Sequence, residues 1–212
     1  MKSSVKRSAT PCPPDPLLFD QAFGVPVCGI DEVGRGPLAG PVVAACAFIP
    51  ADHLDHPVWG EITDSKKLSA RKRENLFPLL TELCRYGIAE ITAPEIDALN
   101  IHHATLKAMA AAFGTLNETT PRLVLIDGKF TPALPVAAKA IVKGDSQSLA
   151  IAAASIIAKV HRDRLMARLH GEYPVYGWDR NAGYGTAVHL AGIAAHGITP
   201  YHRRSFSPCA DS

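Results

Sequence analysis

Five short strand-like runs, at residues 25–31, 41–49, 85–92, 123–127 and 136–142, set the main limit on what this chain can fold into. The first two are β-branched and apolar and are separated by the glycine-rich Gly34-Arg35-Gly36-Pro37, which predicts a hairpin. Residues 85–92 alternate into a third strand, and the last two runs are closed by Gly128 and Gly144. Helical spacing fills the intervals. Ser69 stands as an N-cap before Leu76, Phe77, Leu79, Leu80 and Leu83, with Pro78 working against the middle of that helix. Residues 100–116 are alanine-rich and end near Gly114, and residues 146–170 place Leu149, Ala153, Ile156, Ile157, Val160, Leu165 and Leu169 on one stripe. Residues 186–196 predict a looser helix. A hairpin followed by strand–helix alternation predicts an α/β fold: a mixed sheet covered by helices on its faces.

With 212 residues, 47% of them hydrophobic, the chain can bury one sizeable core. Residues 1–18 are rich in proline and hydroxyl side chains and are expected to be disordered, so that structure begins near Val25. A single domain over 19–206 and a flexible polar tail at 207–212 complete the expected organisation. Lys plus Arg exceed Asp plus Glu by 22 to 20, a weak overall pull on nucleic acid. If acids cluster around a metal, the rest of the surface is more basic than this sum. No stretch approaches the roughly 18 to 20 apolar residues of a membrane span, and Lys2, Lys6 and Arg7 have no apolar run behind them. The five cysteines are scattered and form no C-x-x-C pair. Together these features predict a reduced cytoplasmic protein with no membrane partner, read as a monomer.

Carboxylates fall where apolar strands end. Asp31 and Glu32 end the first run, Asp127 ends the fourth, and Asp145 follows the fifth just before the longest helix. Charged groups beside a core are costly unless paired or metal-bound, so clustered acids call for a cation. Strand ends of one polarity meet at one rim of an α/β sheet, so four acids distant in sequence can converge there. Asp31 and Glu32 are adjacent and would face opposite sides of a regular strand; both reach one site only if the strand bends or ends, and Gly34 and Gly36 just beyond favour such a bend. Hard oxygen donors without His or Cys at ligand spacing favour Mg²⁺ or Mn²⁺ over zinc.

The block Gly29-Ile30-Asp31-Glu32-Val33-Gly34-Arg35-Gly36-Pro37-Leu38-Ala39-Gly40-Pro41-Val42 resembles the opening block of bacterial ribonuclease HII. Asp64-Ser65-Lys66-Lys67-Leu68-Ser69, Ile126-Asp127-Gly128, Val142-Lys143-Gly144-Asp145, the Ile151–Val160 stretch with Arg162-Asp163, Gly183-Tyr184-Gly185-Thr186, and His202-Arg203-Arg204-Ser205-Phe206 resemble its later blocks, in order. Ala182 departs from the pattern, since the family often carries Lys there. The resemblance implies a ribonuclease H-like fold, a central five-stranded mixed sheet flanked by helices with a helical C-terminal extension. It also implies that Asp31, Glu32, Asp127 and Asp145 are the catalytic, metal-binding acids. The implied substrates are RNA–DNA hybrids and DNA duplexes containing ribonucleotides, hydrolysed to 3′-hydroxyl and 5′-phosphate ends. Two cations roughly 3.5 to 4 Å apart would flank the scissile phosphate.

Telling RNA from DNA requires a contact to the 2′-hydroxyl. The resemblance assigns it to the turn Gly34, Arg35 and Gly36, whose two glycines admit a close backbone approach, together with Tyr184. Lys66, Lys67, Lys159, Arg162, Arg203 and Arg204 are candidate phosphate contacts, with Ser155 on the helix face of Lys159. His202, beside Arg203 and Arg204, is the one histidine placed near phosphate, and Arg71-Lys72-Arg73 is read as a solvated helix face. Two alternatives stand. Ribonuclease HIII usually carries an extra N-terminal domain, for which the residues before Gly29 leave no room. A non-catalytic duplex-binding module would lack at least one of the acids, and all four are present.

Overall fold

A computed structural model describes residues 15–211. In chain order the elements are α1 (Pro16–Gln21), β1 (Val27–Val33), β2 (Val42–Phe48), α2 (Ala70–Leu83), β3 (Arg85–Ile91), α3 (Ala93–Thr115), β4 (Leu123–Asp127), β5 (Ala137–Ile141), α4 (Leu149–Glu172), α5 (Trp178–Asn181) and α6 (Ala187–His196). The strands form one five-stranded sheet in the order β3-β2-β1-β4-β5. β1 and β2 form the expected antiparallel hairpin, β3 pairs antiparallel with β2, and β1, β4 and β5 run parallel. This is the mixed α/β sheet that the spacing of the runs predicts.

Strand alternation sorts the side chains into two cores. On one face Cys28, Ile30, Val42, Ala44, Cys46 and Phe48 pack with Ile96, Ala104, Ala108 and Ala112 of α3. On the other, Ala45 and Ala47 pack with Leu76 and Leu80 of α2 and with Ile156, Ile157 and Val160 of α4. Alanines on both partners let α4 lie close to the sheet. The contact is tightest at Gly29, where a Cβ would stand 2.2 Å from the backbone of Ala150 and Ile151. This packing sets the start of α4 beside the carboxyl ends of β1 and β4, the rim where the acids lie.

Structure begins earlier than expected. Residues 1–14 lie outside the described part of the chain, but α1 already occupies Pro16–Gln21, capped by the Asp15 side chain on the Leu17 N–H. Asp20 accepts the Ala150 N–H at 2.9 Å, fastening α1 to the start of α4. So short a helix is marginal alone and is held by this tertiary contact. Asn100, expected to open a helix, instead sits at a kink inside α3 (φ 63, ψ 162). Its Oδ1 accepts the His102 and His103 N–H groups, so it caps the second segment while an earlier turn starts at Ala93. Pro78 stays within an unbroken α2. The tail from 207 is not free throughout: Cys209 is 1% exposed and packs with Met166, Tyr176 and Trp178. Among the described residues no helix is long and apolar enough to cross a membrane.

Candidate active site

Asp31 on β1, Asp127 at the end of β4 and Asp145 in the 3₁₀ turn before α4 each offer a carboxylate oxygen, and these oxygens lie within 4.8 Å of one another. Parallel pairing of β1 and β4 brings the first two to one rim. The third is held by the turn after β5, where the Gly144 N–H donates to Asp127 Oδ1 at 2.7 Å. Burial pushes the Asp31 carboxyl well above its ordinary range, and repulsion from Glu32 and Asp127 adds to it. Asp145 is raised too, by burial and then by Asp127 and Asp64, against the pull of Lys66.

Glu32 takes the opposite face. β1 does not bend at the acids, since its pairing with β2 stays regular through Val33. Asp31 therefore points toward α4, while Glu32 shares a small cavity of about 40 Å³ with Arg35, Asp127 and the α3 residues His102 and Thr105. Asp127 stands between the two. Burial raises the Glu32 carboxyl, opposed by Arg35 at 3.5 Å and reinforced by Asp127. Glu32 Oε2 is buried without a hydrogen-bond partner. A carboxylate oxygen so placed beside three crowded acids fits a divalent cation, and the all-oxygen donor set fits Mg²⁺ or Mn²⁺.

Asp64 was not among the candidate acids, although its loop block was. It hydrogen-bonds Asp145 and holds the turn by accepting the Lys66 N–H at 2.9 Å. Burial opposes the Lys66 ammonium, yet the attraction of Asp31, Asp145, Asp64 and Asp127 keeps it above its usual value. Lys66 thus sits in the field of four acids, as Arg35 sits beside Glu32. The loop is tied down from both sides: Ser65 Oγ meets Ser155 Oγ at 2.7 Å, and Arg73 donates to the carbonyls of Ser65 and Leu68. Arg73 is therefore a loop anchor, not part of a solvated face. Ser155 is 4% exposed and also hydrogen-bonds Asp31, so its hydroxyl is engaged within the protein.

Several other expected contacts move inward. Arg203 is fully buried and donates to the carbonyls of Gly34, Arg35 and Gly40; Arg162, also fully buried, donates to those of Ala39, Pro41 and Ala182. Neither guanidinium reaches solvent phosphate. Both brace the segment from Gly34 to Pro41 from beneath. His202 is also buried, ringed by Tyr176, Trp178 and His189. Lys159 pairs with Asp163 at 2.6 Å. Lys67 and Arg204 remain exposed, as does the Arg35 side chain at 49%. Ala182, at φ 47, packs against the cluster around Trp178.

The turn and Tyr184 do meet. Tyr184 is 49% exposed, and a Cβ at Gly36 would touch its ring at 3.5 Å. The Leu38 N–H donates to the Gly183 carbonyl at 2.8 Å, joining the two segments through the backbone.

Known proteins resemble this chain over most of its length. A ribonuclease HII family model matches residues 28–209. Ribonuclease HII of Magnetococcus marinus is 54% identical over 187 residues, covering 86% of this chain and 84% of the relative, and that of Granulibacter bethesdensis is 53% identical over 195 residues, covering 91% and 88%. Among solved structures, ribonuclease H2 from Pyrococcus horikoshii superposes with a TM-score of 0.70 at 27% identity, over 87% of this chain and 95% of that one. The RNase HII of a PCNA complex from Archaeoglobus fulgidus gives 0.71 at 27%, over 86% and 96%. Bst-RNase HIII in complex with Mn²⁺ gives 0.77 at 19%, over 98% and 75%, a likeness of fold alone. On the family match and on this degree of identity, the chain belongs to the ribonuclease HII family and is a ribonuclease H enzyme.

Proposed function

We propose that this enzyme hydrolyses the RNA strand of RNA–DNA hybrids and cuts on the 5′ side of single ribonucleotides in duplex DNA, leaving 3′-hydroxyl and 5′-phosphate ends in the cytoplasm. The observation that carries the reading is the meeting of Asp31, Asp127 and Asp145 within 4.8 Å, with Asp31 on the strand that leads into the turn beside Tyr184. Asp31, Asp127 and Asp145, with Glu32 alongside, would hold Mn²⁺ or Mg²⁺. Bound divalent cations supply water activation and neutralise charge developing on the phosphate. The protein's own part is placement. Lys66 and Lys67 carry positive charge at the rim toward the phosphate backbone, and the exposed Arg35 carries it on the turn. Gly34, Arg35 and Gly36 offer close backbone to the 2′-hydroxyl, with the Tyr184 hydroxyl as a second partner.

The direct test is incubation with a duplex holding one ribonucleotide, with Mg²⁺ or Mn²⁺, and mapping of the cut. Cleavage on the 5′ side of the ribonucleotide is expected; a cut at other positions, or none, overturns the reading. Ribose recognition has its own test. Tyr184→Phe removes one hydrogen bond worth roughly 0.5 to 1.5 kcal/mol, an expected loss of about 2- to 12-fold. Tyr184→Ala removes the ring as well and should lose more. The loss should be greater on the single-ribonucleotide duplex than on a full hybrid, where neighbouring 2′-hydroxyls compensate. Equal losses on both substrates would assign Tyr184 to general positioning.

A further inference from the structure

Behind Tyr184 lies a chain of buried hydrogen bonds that the cleavage chemistry does not use. His189, the third residue of α6, is fully buried, and His202 is 2% exposed. Their Nε2 atoms stand 3.0 Å apart. Which nitrogen carries each proton follows from the fixed donors at the two ends. The Thr199 backbone N–H donates to His202 Nδ1 at 2.9 Å, so that nitrogen is bare and the His202 proton sits on Nε2. His202 therefore donates to His189 Nε2. The same His189 nitrogen receives the Trp178 indole N–H at 3.1 Å, so it too is bare. The His189 proton then sits on Nδ1, from which it donates to the Tyr184 carbonyl at 3.0 Å.

We infer that the His189–His202 pair positions Tyr184, fixing the backbone from which the tyrosine presents its hydroxyl to the ribose. The inference rests on the reading of Tyr184 as the ribonucleotide contact. Tyr184 is half exposed and flanked by Gly183 and Gly185, so its place depends on what holds its backbone. Its N–H donates to the Asn181 carbonyl, and its own carbonyl receives the Thr186 N–H at 2.8 Å as well as His189. The other end of the chain reaches the turn: His202 precedes Arg203, whose guanidinium holds the carbonyls of Gly34 and Arg35. The histidine pair thus holds Tyr184 directly and adjoins in sequence the arginine that holds the turn. The arrangement requires two neutral imidazoles, since a second proton on either ring would face a donor. Burial supports this: it draws His189 down, and it draws His202 down to about 4 with His189 adding to the effect.

The test compares two replacements at one position. In His189→Asn the amide nitrogen occupies the place of Nδ1 and can still donate to Tyr184. In His189→Gln the amide reaches the place of Nε2, where it can serve Trp178 and His202 but not Tyr184. The readout is the cleavage ratio between a single-ribonucleotide duplex and a full hybrid, with Mn²⁺ binding by calorimetry and thermal melting in parallel. His189→Asn is expected to keep the ratio within about 2-fold, and His189→Gln to lower it by about 2- to 12-fold, the loss of one hydrogen bond, with Mn²⁺ binding unchanged in both. Equal losses in the two variants overturn the inference. So does an unchanged ratio in His189→Gln when Tyr184→Ala lowers it. An unchanged ratio in Tyr184→Ala instead removes the reading of Tyr184, and the inference with it. Whatever the fate of the variants, long-range proton–nitrogen spectra of the wild-type enzyme should show His189 protonated at Nδ1 and His202 at Nε2; the opposite tautomers overturn the relay.

Discussion

Replacing Asp31 or Asp127 with asparagine is expected to abolish cleavage while leaving duplex affinity largely intact, and Asp31→Asn is expected to stabilise the metal-free protein. Removing a group that merely orients a metal ligand costs about 10- to 100-fold in metal affinity or activity, so removing a ligand should cost at least about 100-fold. In the proposed function, duplex binding rests on cations such as Lys66, Lys67 and Arg35, which the substitutions leave in place. The stability change has the opposite sign because the carboxylates crowd one another. Burial and the charges of Glu32 and Asp127 raise the Asp31 carboxyl in the folded state. A carboxyl raised by folding binds more protons folded than unfolded, so its contribution is fully present in acid and is lost as pH rises through the folded value. Without metal, melting temperature should therefore fall as pH climbs above the ordinary carboxylate range, less steeply in Asp31→Asn. Mn²⁺ should stabilise the wild type and should hardly move the variant. Melting curves with chelator and with Mn²⁺ read both effects, and near-normal turnover of either variant in Mg²⁺ would refute the metal assignment.

The acids at the ends of strands were legible because two features coincide there: an apolar run that must be buried and a charge that must be answered. Parallel β1 and β4 then carry Asp31 and Asp127 to one rim, as strand polarity requires. The adjacency of Asp31 and Glu32 was legible only as a choice between a bend and a divergence. The structure takes divergence, with Asp127 between the two acids. Asp64 was hidden because it lies in a loop, where no periodicity assigns a direction to a side chain. Arg162 and Arg203 mark a deeper limit. Basic residues beside glycines look like phosphate contacts, and residue type does not say whether a guanidinium faces water or a ring of carbonyls. The same holds for Ser155 and His202, whose polar atoms are used up inside the protein. Helix α1 was missed because six residues carry little propensity signal, and its hold comes from Asp20 on Ala150, a contact 130 residues apart.

Arg203→Ala should be among the most damaging single changes outside the acids, and Arg203→Lys should not rescue it. The guanidinium makes bonds of 2.5 Å to the Gly34 carbonyl, 2.9 Å to that of Arg35, and 2.9 and 3.1 Å to that of Gly40. Burial, and then the neighbouring charge of Arg162, draws it down to about 9, which leaves it protonated at neutral pH. Hydrogen bonds to a charged group are worth about 1.5 to 3 kcal/mol each, and Arg203→Ala removes several at once. Alanine leaves the buried carbonyls of Gly34 and Gly40, and the part-buried one of Arg35, to find other donors. Lysine brings charge but not the planar fork, so it cannot serve carbonyls on both sides of the turn at once. Urea unfolding should show the loss in both variants, and cleavage of the single-ribonucleotide duplex should fall further than that of a full hybrid, because the Gly34-Arg35-Gly36 backbone is what Arg203 holds. Salt dependence separates this role from a phosphate contact. A lost phosphate contact lowers the slope of log affinity against log salt by about one and leaves the fold untouched. A lost brace weakens the fold at every salt concentration. Unchanged urea stability together with a reduced salt slope would return Arg203 to the substrate surface, and with it the reading of the turn as a backbone scaffold braced from below would fail.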